Sequence, residues 1–369
     1  MSNVRYVLGI SGGKDSTALA IYLKNKYPHL EVEYYFCDTG KELEETYSLI
    51  NSLEIFLGRK IKRLKAAEQS PRDPFDHFLD MYGGFLPSSG ARWCTKNLKL
   101  EPFETFVGDD PVVSFVAIRG DENREAYISK KPNIQSIFPF RQNIWSEDVI
   151  RLVLNNQSID KLIDAYNQQL SEIAKIKSAI IELAKRPLSM TYPQGRKLND
   201  LLMADTKQFN RVIFTFLKTT QYPLGQVESF PVLENDEVLT IDDVFRILKE
   251  SGVGVPAYYE KIEFELDGKK GHFSRSRSGC YFCFFQQKIE WIWLYEKHPE
   301  LYERAMQYEK AGYTWMQGER LEEIIKPERV RQIKEEQLRR LNRRPTANSG
   351  YLLDIIQEAE GEGCAACFI

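Results

Sequence analysis

The stretch Ser11-Gly12-Gly13-Lys14-Asp15-Ser16 gathers two glycines, a lysine and two hydroxyls, a set suited to holding phosphate. Glycine lets the backbone turn sharply and come close to a ligand. Successive N–H groups can then converge on an anion as a nest. The helix expected after the loop adds its positive N-terminal end. Lys14 supplies a full charge, and Ser11 and Ser16 supply hydroxyl donors. The spacing is not the GxxxxGK[ST] of a Walker A loop, so a kinase-type or GTPase-type site does not follow. The competing reading is a plain glycine turn between strand and helix. The order strand, loop, helix favours phosphate.

The six cysteines are Cys37, Cys94, Cys280, Cys283, Cys364 and Cys367. Two CxxC pairs without an export signal read as metal or redox chemistry rather than a disulfide framework. Cys280 and Cys283 have the spacing for two thiolates on one metal or cluster. Free buried cysteines are the alternative. Cys364 and Cys367 sit in the tail, either as a sulfur-carrying arm, whose attack requires the thiolate, or as an inert end. The fourth residue from the end is Ala366, so the tail is not a prenylation box. Cys37, at a strand end, reads as core.

These residues need a frame. Tyr6–Ile10, Val32–Phe36, Ile61–Leu64 and Val112–Ile118 read as strands, with helices expected over Thr17–Lys26 and Glu42–Leu57. Alternating strands and helices predict an α/β fold: a mostly parallel, Rossmann-like sheet flanked by helices. Ligands in such sheets bind beyond the carboxyl ends of the strands. The phosphate loop, Asp38-Thr39-Gly40 and Arg119-Gly120-Asp121 fall there. From Ser158 to Arg186, Leu162, Tyr166, Leu170, Ile173, Ile176, Ile180 and Leu183 recur at helical spacing, predicting one amphipathic helix that packs on the main domain or on a partner. The last third reads as helical and aromatic-rich. The expected divisions are a phosphate-loop α/β domain over 1–154, a helical insertion over 155–229, a CxxC-bearing region over 230–310, and a basic helical segment with a cysteine tail over 311–369.

The chain has 369 residues, 43% hydrophobic and 28% charged, with net charge −3. That composition argues against wholesale disorder. It also confines any nucleic-acid contact to a local patch, for which Arg339, Arg340, Arg343 and Arg344 are candidates. The interleaved Glu335 and Glu336 favour a solvated helix face instead. No run of about 18 apolar residues and no signal sequence is present, so a cytoplasmic protein without a membrane span is expected.

Ser-Gly-Gly-Lys-Asp-Ser after a first strand resembles the PP-loop of the ATP pyrophosphatase superfamily, whose fold is adenine nucleotide alpha hydrolase-like. Cys37-Asp38-Thr39-Gly40 with Glu45-Thr46 is similar to the DTG…ET segment of its PAPS reductase branch. Arg92-Trp93-Cys94 through Leu98-Lys99 and Pro102 is similar to its RxCxxxLKxxP segment. Ile118-Arg119-Gly120-Asp121-Glu122 with Arg124 resembles its GxRxxES-like segment, with the order altered. Ser278-Gly279-Cys280-Tyr281-Phe282-Cys283 and His298-Pro299-Glu300-Leu301-Tyr302 resemble later motifs. The likeness covers residues 1 to about 150 and 230 to about 310. Within the branch the chain looks most like the DndC-like and SspD-like proteins of DNA phosphorothioation systems, which implies a role in phage defence.

The resemblance implies ATP and Mg2+ as cofactors, cleavage of the α–β bond, and sulfur transfer to an adenylated acceptor, DNA being the expected substrate. It assigns catalysis to Lys14, Asp15, Ser16 and Arg119. Nucleotide binding falls to Ser11, Gly12, Gly13, Lys14, Asp15, Ser16, Asp38, Thr39, Gly40, Gly120 and Arg124. Cys94 joins Cys280 and Cys283 as metal ligands. Relatives with a cluster carry a Cys-Cys pair near Cys94, and the first partner here is Trp93, so three ligands are expected on a [4Fe–4S] cluster, with Zn2+ the alternative. Cys364 and Cys367 are possible sulfur carriers. A cysteine desulfurase and other modification-system subunits are the implied partners, while oligomeric state stays open. Rival readings are a sulfonucleotide reductase, against which the absent ECGxH-type tail counts, a tRNA or nucleobase thiolation enzyme, and a non-catalytic nucleotide-binding subunit.

Overall fold

The computed structural model describes residues 4–122, 129–169, 174–310 and 312–342. Strands β1 (Arg5–Gly9), β2 (Val32–Asp38), β3 (Lys62–Lys65), β4 (Val112–Phe115) and β5 (Ile134–Ile137) form one sheet in the order β3-β2-β1-β4-β5. All four pairings are parallel. Strand β1 is central because Val7 and Leu8 are both fully buried, as a strand covered on both faces requires. Alternation sends Val7, Tyr35, Cys37 and Val112 to one face, against Phe103 and Val107. Leu8, Phe36, Val113 and Phe115 go to the other, under helices α1 (Lys14–Lys26) and α2 (Glu44–Leu57). The sheet order reverses between β1 and β4, and the crevice at such a switch point is where open α/β sheets bind ligands.

The expected boundaries shift in two informative places. Helix α1 begins at Lys14, three residues before Thr17, because Gly13 caps it in extended backbone and Thr17 N–H closes the first turn on Gly13 O at 3.2 Å. Lys14, Asp15 and Ser16 are therefore helical. Strand β4 stops at Phe115, and the Ile118 amide turns back to Val116 O at 3.0 Å.

The single helix expected over 158–186 is instead two helices, Ile159–Gln169 and Ala174–Lys185, packed against each other. Asn156 holds both backbone groups of Leu188, closing the hairpin at its base. Leu170 and Ile173 of the expected stripe lie outside the described residues. Leu162, Tyr166 and Ile180 are buried in the same core as Leu8 and Phe115, so the insertion packs on the sheet's own layer.

The C-terminal region carries an antiparallel hairpin that the pattern did not announce, β6 (Ile262–Leu266) with β7 (Lys269–Phe273). Asp267 and Gly268 turn it with φ of +50° and +73°, as a two-residue hairpin turn demands. A second core of Phe282, Trp291, Trp293, Tyr302 and Trp315 fixes the helices Lys288–Lys297 and Pro299–Gln307. Tyr258 and Tyr281 belong to this core together with Leu43 and Phe75 of the β2 side, which brings the C-terminal region onto the strand ends. Among the described residues no helix is long and apolar enough to cross a membrane.

Candidate nucleotide and thiol site

The phosphate loop leaves β1 as a tight, internally braced turn. Ser11 N–H donates to Ser16 Oγ at 3.1 Å, and the two serine hydroxyls lie 3.1 Å apart. Gly12 has φ +69°, and a Cβ there would sit 2.2 Å from Thr46 Cγ2 of α2. A Cβ on Gly13 would sit 2.5 Å from Ser278 Oγ. The glycines thus permit close approach of other segments of this chain as well as of a ligand.

Asp15 is the electrostatic centre of the loop. Lys14 Nζ meets its Oδ2 at 3.2 Å, and Arg119 Nη1 meets its Oδ1 at 2.7 Å. Arg119 also contacts Asp121 at 2.8 Å and Glu122 at 2.5 Å. Burial works against the Arg119 charge, but Asp15 and Glu122 outweigh it and raise its pKa. The structure thus brings Lys14, Asp15, Ser16 and Arg119 together. Gly120 serves packing: its amide donates to Leu239 O at 3.0 Å, and a Cβ would strike Val238. Arg124 lies outside the described residues.

Asp38 organises the turn after β2, accepting from the Gly40 amide at 3.0 Å and the Tyr47 hydroxyl at 2.9 Å. Thr39 Oγ1 donates to Glu42 at 2.6 Å and lies 3.3 Å from Cys280 Sγ. Gly40 has φ +76° and abuts Asp73, the N-cap of α3 (Pro74–Met81). Lys41 is buried and held by Asp73 at 2.7 Å and Asp76 at 2.9 Å. The Tyr281 amide donates to Lys41 O at 2.7 Å, and Glu42 bridges Cys280. The CxxC segment is thereby tied to the end of β2.

Cys94 lies in a short helix that runs directly into the π-helical turn Lys96–Leu100. Such turns recur at functional positions. Burial pushes the Cys94 thiol up to about 12, with Cys283 adding to the shift. Burial raises Cys280 and Cys283 as well, and Lys99 opposes the rise at all three thiols. The three cysteines thus share one neighbourhood. Among the described residues, however, no three His, Cys, Asp or Glu side chains are gathered closely enough to hold a metal ion. As placed, they do not form a chelating set, with Cys280 turned to Thr39. Cys37 is buried and its thiol is raised to about 12, chiefly by burial. Cys364 and Cys367 lie outside the described residues.

Several groups at the site had no local signal in the sequence. Tyr258 OH donates to Gly12 O at 2.8 Å, and the Lys14 amide donates to Tyr259 OH at 3.3 Å. Lys14 Nζ sits over the Tyr259 ring at 4.8 Å and donates to Ser276 O at 3.3 Å. Ser276 is pinned in turn by the buried Glu290, whose Oε1 accepts its amide at 2.6 Å and its hydroxyl at 2.7 Å. The contacts of Gly12 and Lys14 with Tyr258, Tyr259 and Ser276 span more than half the chain, so only folding reveals them.

No family model matches the chain. It is 33% identical over 153 residues to an uncharacterized protein of Methanocaldococcus jannaschii, a match covering 38% of this chain and 30% of that protein's length. A crystal structure of PAPS reductase from Candida auris, in complex with phosphate, matches with TM-score 0.30 and 15% identity, over 39% of this chain and 67% of the other.

The basic C-terminal helix Pro327–Asn342 meets its own chain with most of its cations. Arg329 pairs with Glu319, Arg331 with Asp267 and Glu335, Lys334 with Glu296, and Arg339 with Glu335. Arg340 donates to Gln287 at 2.7 Å. A charge run interleaved with carboxylates folds as a self-paired face. Arg343 and Arg344 lie outside the described residues.

Proposed function

We propose that this chain is an ATP-dependent, pyrophosphate-releasing sulfurtransferase component whose acceptor is a DNA backbone phosphate. One observation supports it most. The phosphate loop and the CxxC segment meet at a single site, where Ser278, two residues before Cys280, places its Oγ 3.4 Å from Ser11 Oγ.

An acceptor oxygen attacks the α phosphorus of ATP, the α–β bond breaks, and pyrophosphate leaves with its electron pair. Loop amides and Lys14 stabilise the charge that grows on the leaving group. Sulfide then displaces AMP from the acceptor directly; a persulfide displaces AMP to leave an acceptor–S–S–R disulfide, which an added thiol reduces to free the thiolated acceptor. Arg119 suits phosphate oxygens because its planar fork can bind two at once.

Magnesium, when bound, adds neutralising charge on the polyphosphate. Asp15 is the loop carboxylate suited to it, and it becomes available only as its contacts to Lys14 and Arg119 part. No step is routed through a metal at Cys94, Cys280 and Cys283. Iron and zinc analysis of anaerobically purified protein tests that assignment directly.

The deciding experiment incubates the chain with ATP, DNA and a persulfide donor and follows products by anion-exchange chromatography. AMP and pyrophosphate are expected, with turnover reduced about 100-fold or more in Lys14→Ala. ADP with inorganic phosphate, or turnover indifferent to Lys14, would sink the proposal. Consumption of a sulfonucleotide without ATP would favour reductase chemistry instead.

A further inference from the structure

We propose that Arg275, Ser278 and Tyr259 form the opposing half of the phosphate site, and that their ligand is the polyphosphate chain of a nucleoside triphosphate. This rests on reading Ser11–Ser16 as the phosphate loop.

The first argument is charge. The described groups that meet at the loop are Lys14 and Arg119 against Asp15, Asp121 and Glu122. Arg141, which donates to Arg119 O at 3.3 Å and to Glu122 O at 2.8 Å, brings the cations to three, so these described groups balance and leave no surplus to attract a polyphosphate. A further cation has to come from elsewhere in the site.

Arg275 is that cation. It is 2% exposed, yet no carboxylate pairs with it among the described residues. Its Nη2 donates to Cys280 O at 3.0 Å. Its Nε and Nη1 are buried without a hydrogen-bond partner among the described residues. The rings of Tyr258 and Trp293 flank it at 5.9 and 5.6 Å. An unpaired buried guanidinium is costly, and a resident anion removes that cost. Tyr258, against which Arg275 rests, reaches Gly12 O with its hydroxyl, so the orphaned cation stands one ring away from the loop.

The second argument is placement. Ser278 Oγ lies against Ser11 and Gly13, and Tyr259 OH already accepts the Lys14 amide. With Ser278 Oγ 3.4 Å from Ser11 Oγ and Tyr259 OH on the Lys14 amide, a phosphate chain seats on the loop by parting this segment from it and taking over those contacts. There the two hydroxyls donate to its oxygens, and the Lys14 N–H turns from Tyr259 to phosphate.

The test is isothermal titration calorimetry of the full chain with MgATP and with pyrophosphate, comparing wild type, Ser278→Ala, Tyr259→Phe and Arg275→Met, with thermal melts as folding controls. Ser278→Ala and Tyr259→Phe should each weaken both ligands about tenfold, and Arg275→Met by more, since hydrogen bonds to charged groups are the stronger ones. If Arg275→Met does not fold, the two hydroxyl variants decide. Wild-type binding with both hydroxyl variants within twofold of it overturns this inference and leaves the loop reading standing. Tighter binding in those variants also overturns it, because the hydroxyls would then be competitors and not ligands. A wild type that binds neither ligand ends the loop reading, and this inference with it.

Discussion

Arg119 and Asp15 meet at 2.7 Å across 104 residues of sequence, joining the end of β4 to the loop after β1. The contact spans the switch point of the sheet, and the two side chains are only 13% and 7% exposed. Removing the guanidinium leaves this largely buried carboxylate with Lys14 alone, at 3.2 Å. Arg119→Met should reduce pyrophosphate release about 100-fold and lower stability by about 1–3 kcal/mol, read by product assay and urea unfolding. Unchanged turnover would remove Arg119 from the machinery.

Gly12 is required by backbone and by space at once. A side chain there must adopt φ +69° and displace Thr46 Cγ2 from 2.2 Å. Gly12→Ala should cost about 2–4 kcal/mol in chemical unfolding. Adding Thr46→Ser removes the obstructing methyl, so the double variant should recover part of that loss while the unfavourable φ remains. Equal stability of single and double variants would show that the methyl plays no part.

Much of the frame could be read before folding because it is local. Val7-Leu8 and Tyr34-Tyr35-Phe36 are continuous apolar runs, which strands buried on both faces need, and the loop between β1 and α1 carries its own glycines. The 158–186 stripe misled for a physical reason. Two helices packed on one core can keep a common periodicity, and the sequence from Gln169 to Ala174 holds neither glycine nor proline. The Asp267-Gly268 turn was a legible hairpin signal that the aromatic density around it obscured. Arg275 stands out in the sequence only as a cation beside the CxxC, where a substrate strand would approach, and Tyr258 and Tyr259 carry no such signal. Their meaning comes from contacts with Gly12, Lys14 and Cys280, which sequence spacing does not encode for groups so far apart.

Asn156 clasps the insertion hairpin, donating to Leu188 O at 3.1 Å and accepting the Leu188 amide at 2.6 Å. Both bonds are solvent-accessible, so their loss is modest. Asn156→Ala should cost about 0.5–1.5 kcal/mol and speed amide exchange across Ile159–Lys185, leaving ATP binding unchanged because the clasp touches no loop residue. Slower exchange or weakened ATP binding would show that the insertion communicates with the site.

Glu319 ties two C-terminal helices together. It pairs with Arg329 at 2.5 Å and with Lys288 at 2.7 Å, joining the helix that follows the CxxC to the basic C-terminal helix. Arg329 first, then Lys288, lowers its carboxyl to about 2, below the roughly 4.3 of an unfolded glutamate. Because the folded pKa is depressed, the native state holds its proton less tightly than the unfolded chain. Stability from this group is therefore present above about pH 4.3 and is lost as pH falls toward 2. Glu319→Gln should lower the melting temperature at neutral pH and flatten the acid limb, so the two proteins converge near pH 2. Parallel melting curves from pH 7 down to 2 would show that this carboxylate contributes nothing through its charge.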